Sequence, residues 1–116
     1  MIADRRIEPA VLARLVRAHF VDMVKYVADV RQRVVAVGGE LHADAEALLL
    51  EAGSAQQDLW GANYYPGRGR VHCIEYTALI NIRPAQDNPG MVIQDPAIRA
   101  VIRELTLELI GAGDPL

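Results

Sequence analysis

The apolar positions change period several times along the chain, and each change marks an element. From Pro9 onward, Leu12, Leu15, Val16, Phe20 and Met23 recur at helical spacing while Arg14 and Arg17 take the opposite face. Pro9, with Glu8 before it, suits the first turn of a helix, so the spacing predicts a helix from about Pro9 to Val24. The period then shortens. "KYVADV" (Lys25–Val30) and "RVVAVGG" (Arg33–Gly39) are rich in β-branched residues and read as a hairpin turning at Arg31-Gln32.

"HADAEALLLEAG" restores the helical period, with Gly53 as a natural C′ residue and Ala45, Leu48, Leu49 and Ala52 as its buried stripe. "DLWGANYYP" and "RVHCIEYTALINIR" read as two strands joined by a turn at Pro66-Gly67 and Gly69. In the second of these, Ile74, Tyr76, Ala78, Ile80 and Ile82 alternate with Cys73, Glu75, Thr77, Leu79, Asn81 and Arg83. "PAQDNPG" is a loop. Asp95-Pro96 starts a last helix as N-cap and N1, with Ile98, Val101, Ile102, Leu105 and Leu109 facing inward. Gly111 ends it, and residues 110–116 read as a frayed tail. The predicted fold class is α+β: order αββαββα, with a mainly antiparallel four-stranded sheet and the helices packed on one face.

Composition narrows the class further. A chain of 116 residues is one domain, and at this size about 65% of the unfolded surface is buried on folding, enough for a core without staples. The single cysteine, Cys73, cannot form an intramolecular disulfide, which fits a reducing, cytoplasmic setting. "MIADRRIEPA" has no apolar signal core, and no apolar run is long enough to span a membrane. A net charge of −3 argues against a nucleic-acid partner, which would need Arg68, Arg70 and Arg83 to form a patch.

Two polar clusters carry the candidate chemistry. Glu40, His42, Asp44 and Glu46 fall within seven positions. On a helix His42 and Glu46 lie one turn apart and Asp44 points elsewhere, so the spacing is a poor metal triad, and no further His or Cys stands at zinc-like spacing. No metal or other cofactor is therefore expected. The purely structural reading makes Asp44 and Glu46 first-turn acids that suit the helix dipole, with His42 at or beside the N-cap. The functional reading notes that Gly38-Gly39 delivers His42 to a polar corner, where it would act as general base oriented by Glu40 or Asp44.

The second cluster is "INIRPAQDN". As strand residues, Asn81 and Arg83 would share a face about 7 Å apart, and Arg83 offers a planar fork for a carboxylate or phosphate. Glu75 would sit roughly 20 Å from Asn81 on the same face, nearer to Trp60. Trp60, Asn63 and Tyr65 would supply stacking walls and hydrogen-bond groups. Structurally, Arg83 could instead pair with Asp87 or with a first-turn acid of the second helix, and Trp60 could be plain core. His19, on the apolar stripe of the first helix, reads as buried or interfacial, and the neighbouring His72 and Cys73 point to opposite faces.

The blocks "GGELHADAE", "LWG-N-YP" and "INIRP" resemble a small bacterial and archaeal family catalogued as a domain of unknown function, over about Asp22 to Ile102. The resemblance implies a cytoplasmic single domain and carries over no activity and no functional residue.

The leading functional expectation is a site for a small polar or anionic molecule, with hydrolytic or isomerising acid/base chemistry. Arg83 and Asn81 would hold the ligand, His42 with Glu40 or Asp44 would be the acid/base group, and Trp60 and Tyr65 the wall. This requires the start of the second helix to meet the end of the last strand. The rival expectation is a non-catalytic module that forms a homodimer through an exposed sheet face or edge strand, with Leu79 and the apolar faces of the terminal helices as the interface.

Overall fold

The computed structural model describes residues 1–116. A short strand β1 (Ile2–Ala3) precedes helix α1 (Pro9–His19), and the hairpin follows as β2 (Val24–Asp29) and β3 (Val34–Val37). Next come α2 (His42–Glu51), β4 (Leu59–Tyr64), the single turn α3 (Gly69–His72), β5 (Ile74–Glu75) and α4 (Pro96–Leu105). The strands form one antiparallel sheet in the order β1-β3-β2-β4-β5. The α+β class and the antiparallel pairing match expectation. The strand count is five, because Ile2 and Ala3 add an edge beside Ala36 and Val35.

The hairpin turns for a reason other than the Arg31-Gln32 pair. Asp29 accepts the backbone N–H groups of Arg31 and Gln32 on one carboxylate oxygen and the Ser54 hydroxyl on the other. This side-chain-built turn leaves Arg33 in the left-handed region at φ 59°.

The helices do not share one face. Tyr26, Ala28, Trp60, Ala62 and Tyr64 pack with Leu12 and Val16 of α1 and Ile102 and Leu105 of α4. On the other face Val27, Ala36 and Leu59 pack with Ala45 and Leu49 of α2. The central strand β2 is therefore apolar on both sides, as a doubly covered strand requires. Within α2, Leu48 and Ala52 are exposed, and the inward stripe is His42, Ala45 and Leu49. His19 is exposed rather than buried.

The largest departure is the segment expected as one long strand, Arg70–Arg83. Only Ile74 and Glu75 pair with β4. Beyond them Thr77 bridges Val92, Ala78 N–H donates to the Met91 carbonyl, and residues 79–81 close into a 3₁₀ turn. The Asn81 side chain takes the place of the missing strand. Its Oδ1 accepts Gly61 N–H at 2.8 Å, and its Nδ2 donates to the Gly61 carbonyl at 2.9 Å and to the Met91 carbonyl at 3.1 Å. Asn88 performs a similar service for the next loop, donating to the carbonyls of Asn81, Gly90 and Val92.

Helix α4 is capped as predicted, with Asp95 accepting Ala97 N–H and Pro96 at N1. It continues as a wider π turn over Thr106–Ile110, where Thr106 accepts the Tyr26 hydroxyl inside the core. Gly111 to Asp114, expected within a frayed tail, are tied to the fold. Gly113 N–H donates to the Tyr64 hydroxyl, and the Gly113 carbonyl accepts from Gly67 and Gly69.

Candidate functional site

The antiparallel register places Lys25, Asn63 and Glu75 directly opposite one another on three adjacent strands. All three belong to the α2 face, where His42, the first residue of that helix, stands over the row. Together with Leu41, Thr77, Ala78, Ile80 and Met91 they line a cleft of about 370 Å³. The close approach of helix and sheet here depends on Gly61. A Cβ at that position would stand 2.6 Å from the Ala78 Cβ and 3.2 Å from His42 Cδ2.

His42 is buried, and its Nε2 lies 2.9 Å from the Ala62 carbonyl oxygen. A carbonyl only accepts, so Nε2 carries the proton and Nδ1 keeps its lone pair. Burial lowers the imidazole pKa from its ordinary value; the Ala62 hydrogen bond and the Glu75 charge oppose that, while Lys25 lowers it further. The net result favours a neutral ring at neutral pH, the form that accepts a proton.

Asn63 is 6% exposed. Its Nδ2 donates to Glu75 Oε1 at 2.7 Å and more weakly to the Thr77 carbonyl, while its Oδ1 is buried with no hydrogen-bond partner. An orphaned buried acceptor of this kind is uncommon in a settled core. Tyr65 adds a hydroxyl donor to the same Glu75 Oε1 at 3.4 Å, and the Arg68 guanidinium lies over its ring. Both contacts fall on Oε1.

Arg83 occupies a second, more open cleft of about 630 Å³, on the far side of the Leu79-Ile80 segment that the two clefts share. Nε donates to the Ile80 carbonyl and Nη1 to the Gln56 carbonyl, and the guanidinium lies over Trp60. Nη2 faces Glu46 Oε2 at 3.6 Å, with side-chain exposures of only 11% and 14%. Burial lowers the Arg83 pKa, and the Glu46 charge opposes that. This is the pairing with an acid near the start of the second helix that the sequence offered as the structural alternative.

The expected residues thus divide. His42, Asn63 and Glu75 meet in one cleft. Arg83 lies in the other, because the chain turns at residues 79–81 instead of running straight. Asn81 is fully buried and spends its amide on Gly61 and Met91, so it presents nothing to a ligand. Trp60 is core beneath Arg83. Asp44 caps α2 by accepting Leu41 N–H at 2.9 Å, and Glu40 is exposed outside both clefts; neither orients His42, which is held by a backbone carbonyl. Lys25 and Thr77 were missed. The available signal for Lys25 was a single charge inside the otherwise apolar strand "VKYVA".

No three His, Cys, Asp or Glu side chains converge as metal ligands, and no helix is long and apolar enough to cross a membrane. The chain belongs to a protein family of unknown function, DUF5674, whose family profile matches residues 1–109. No curated protein and no solved structure matches the chain.

Proposed function

We propose that the cleft between the start of α2 and the outer half of the sheet binds a small polar molecule, with His42 as the proton-accepting group. The observation that carries this reading is the junction of a neutral, tautomer-fixed imidazole with the Lys25–Asn63–Glu75 row in one concave site. Opposite charges, an unpaired amide oxygen and apolar walls around a few hundred Å³ are the usual make-up of a small-molecule site. Glu75 and Asn63 form a hydrogen-bonded support beside His42, and the imidazolium formed on proton uptake gains the Glu75 charge as a neighbour. Arg83 enters this reading as a buttress of the shared wall, not as a ligand group.

Native mass spectrometry of protein purified gently from its own host tests the proposal. An added mass on the wild-type protomer that is lost in His42→Ala and retained in Arg83→Lys is the expected result. Bare wild-type protomers, together with no perturbation of the His42 ring resonances by a mixture of cellular metabolites, would overturn it.

A second reading, a homo-oligomeric interaction module, draws on one observation. Leu79 is 71% exposed on the rim between the clefts, with Leu41 and Met91 also exposed nearby. Light scattering across a concentration series decides it: a constant monomer mass removes this reading.

A further inference from the structure

We infer that the His42 cleft takes an amino-acid-like zwitterion, with its carboxylate toward Lys25 and its ammonium toward Glu75; this rests on the cleft being the binding site. Lys25 is the only lysine or arginine lining the cleft, and Glu75 is the only acid. Register fixes their arrangement. Each stands opposite Asn63 on a different neighbouring strand, so the sheet spacing sets them roughly 10 Å apart at the backbone, on either side of the central amide.

The two charges do not neutralise each other. The ion pairs of the chain involve neither Lys25 nor Glu75. The Lys25 ammonium lies 5.2 Å from the centre of the Phe20 ring, and its strand is separated from β5 by β4. Glu75 receives both the Asn63 amide and the Tyr65 hydroxyl on Oε1, leaving Oε2 open to a further donor. A ligand bearing only an anion would satisfy Lys25 and face Glu75 with like charge. A ligand bearing only a cation would do the reverse. A dipolar ligand satisfies both ends.

The stretch between the charges adds to the selection. Leu41, Ala78, Ile80 and Met91 give the cleft an apolar wall that suits a short aliphatic side chain. The His42 Nδ1 lone pair faces the same preference as Glu75, for a ligand that brings N–H donors.

Amide-detected NMR titration with three matched probes tests the inference: leucine, 4-methylpentanoate, which lacks the ammonium, and isoamylamine, which lacks the carboxylate. Leucine is expected to produce saturable shifts at Lys25, Leu41, Asn63 and Thr77, and to bind about tenfold tighter than either single-charge probe, the fold-change equivalent of one desolvated charge contact. Lys25→Met should reduce leucine to the level of isoamylamine, and Glu75→Gln to that of 4-methylpentanoate; the dispersion of the same spectra reports folding of each variant. Equal binding of leucine and one single-charge probe at these residues overturns the zwitterion while leaving the cleft as a binding site. Absence of saturable shifts at the cleft with all three probes overturns the zwitterion, and the metabolite-mixture titration of the His42 ring then separates this failure from failure of the cleft reading.

Discussion

Replacing Asn81 by alanine is expected to be among the most damaging single truncations in the chain, although Asn81 touches neither cleft directly through its amide. The side chain is fully buried and makes three hydrogen bonds, all to backbone groups. The Gly61 N–H and C=O involved meet Asn81 on a stretch of β4 that β5, which pairs only with Asn63 and Tyr64, does not reach. In Asn81→Ala these two groups and one lone pair of the Met91 carbonyl lose their partner inside the protein. An orphaned buried group costs about 1–3 kcal/mol. Two stranded groups on Gly61 therefore cost about 4 kcal/mol, the middle of that range doubled, with the Met91 carbonyl adding little because it also accepts from Ala78. At the scale of about 4 °C per kcal/mol for domains of this size, Tm should fall by more than about 10 °C. Urea unfolding followed by tryptophan fluorescence provides the free energy, since Trp60 adjoins Gly61 in the sequence. Asn81→Asp separates hydrogen bonding from packing: it keeps the acceptor for Gly61 N–H but turns an oxygen toward two carbonyls. It should be no more stable than Asn81→Ala. A loss below about 1 kcal/mol for Asn81→Ala would refute the claim that this amide substitutes for a strand.

Three further outcomes follow from the same geometry. Gly61→Ala drives a methyl into Ala78 and the His42 ring, so a loss of about 1–3 kcal/mol should accompany broadened His42 resonances; an unchanged melting curve would contradict the close approach. His42 has a lowered pKa in the folded state, so the unfolded chain binds the proton more tightly and stability falls as pH drops below the ordinary histidine value of about 6.5. Chemical unfolding from pH 8 to 5 should show this slope flattened in His42→Phe, and an unchanged slope would remove His42 as its source. For the Arg83–Glu46 pair, each single neutralisation strands a nearly buried charge, so Arg83→Met and Glu46→Gln should each destabilise more than half as much as the double variant. Strict additivity in that double-mutant cycle would show the two groups to be uncoupled.

The parts of the fold that local chemistry governs were readable in advance. Asp95-Pro96 is a cap and first turn, Gly53 is a C′ residue, and the β-branched runs around residues 24–37 pair as a hairpin. The two-sided burial of β2 was also encoded, since "YVA" offers apolar side chains to both faces, but the helices' placement depends on tertiary packing. The alternation from Cys73 to Arg83 misled for a specific reason. A period of two shows that a strand fits, but here Asn81 offers the neighbouring backbone a side-chain amide in place of a main chain. That substitution moved Arg83 out of the site and left His42 with Asn63 and Glu75. His42, Asn63 and Glu75 were individually visible as polar residues in ordered segments. Their union with Lys25 was not, because it is set by cross-strand register, which single-chain periodicity does not report.

The Asn81 amide has a consequence for how copies of this chain meet. A sheet normally ends in a row of free N–H and C=O groups that invites another strand. Here the outer edge of β4 is divided between a two-residue strand and a single carboxamide, and the opposite end of the sheet stops at the two residues of β1. Neither border offers a continuous run of backbone for a second molecule to extend. Strand addition at either border is deprived of a long template, which leaves side-chain surfaces such as the Leu79 rim as the better-supplied route to self-association.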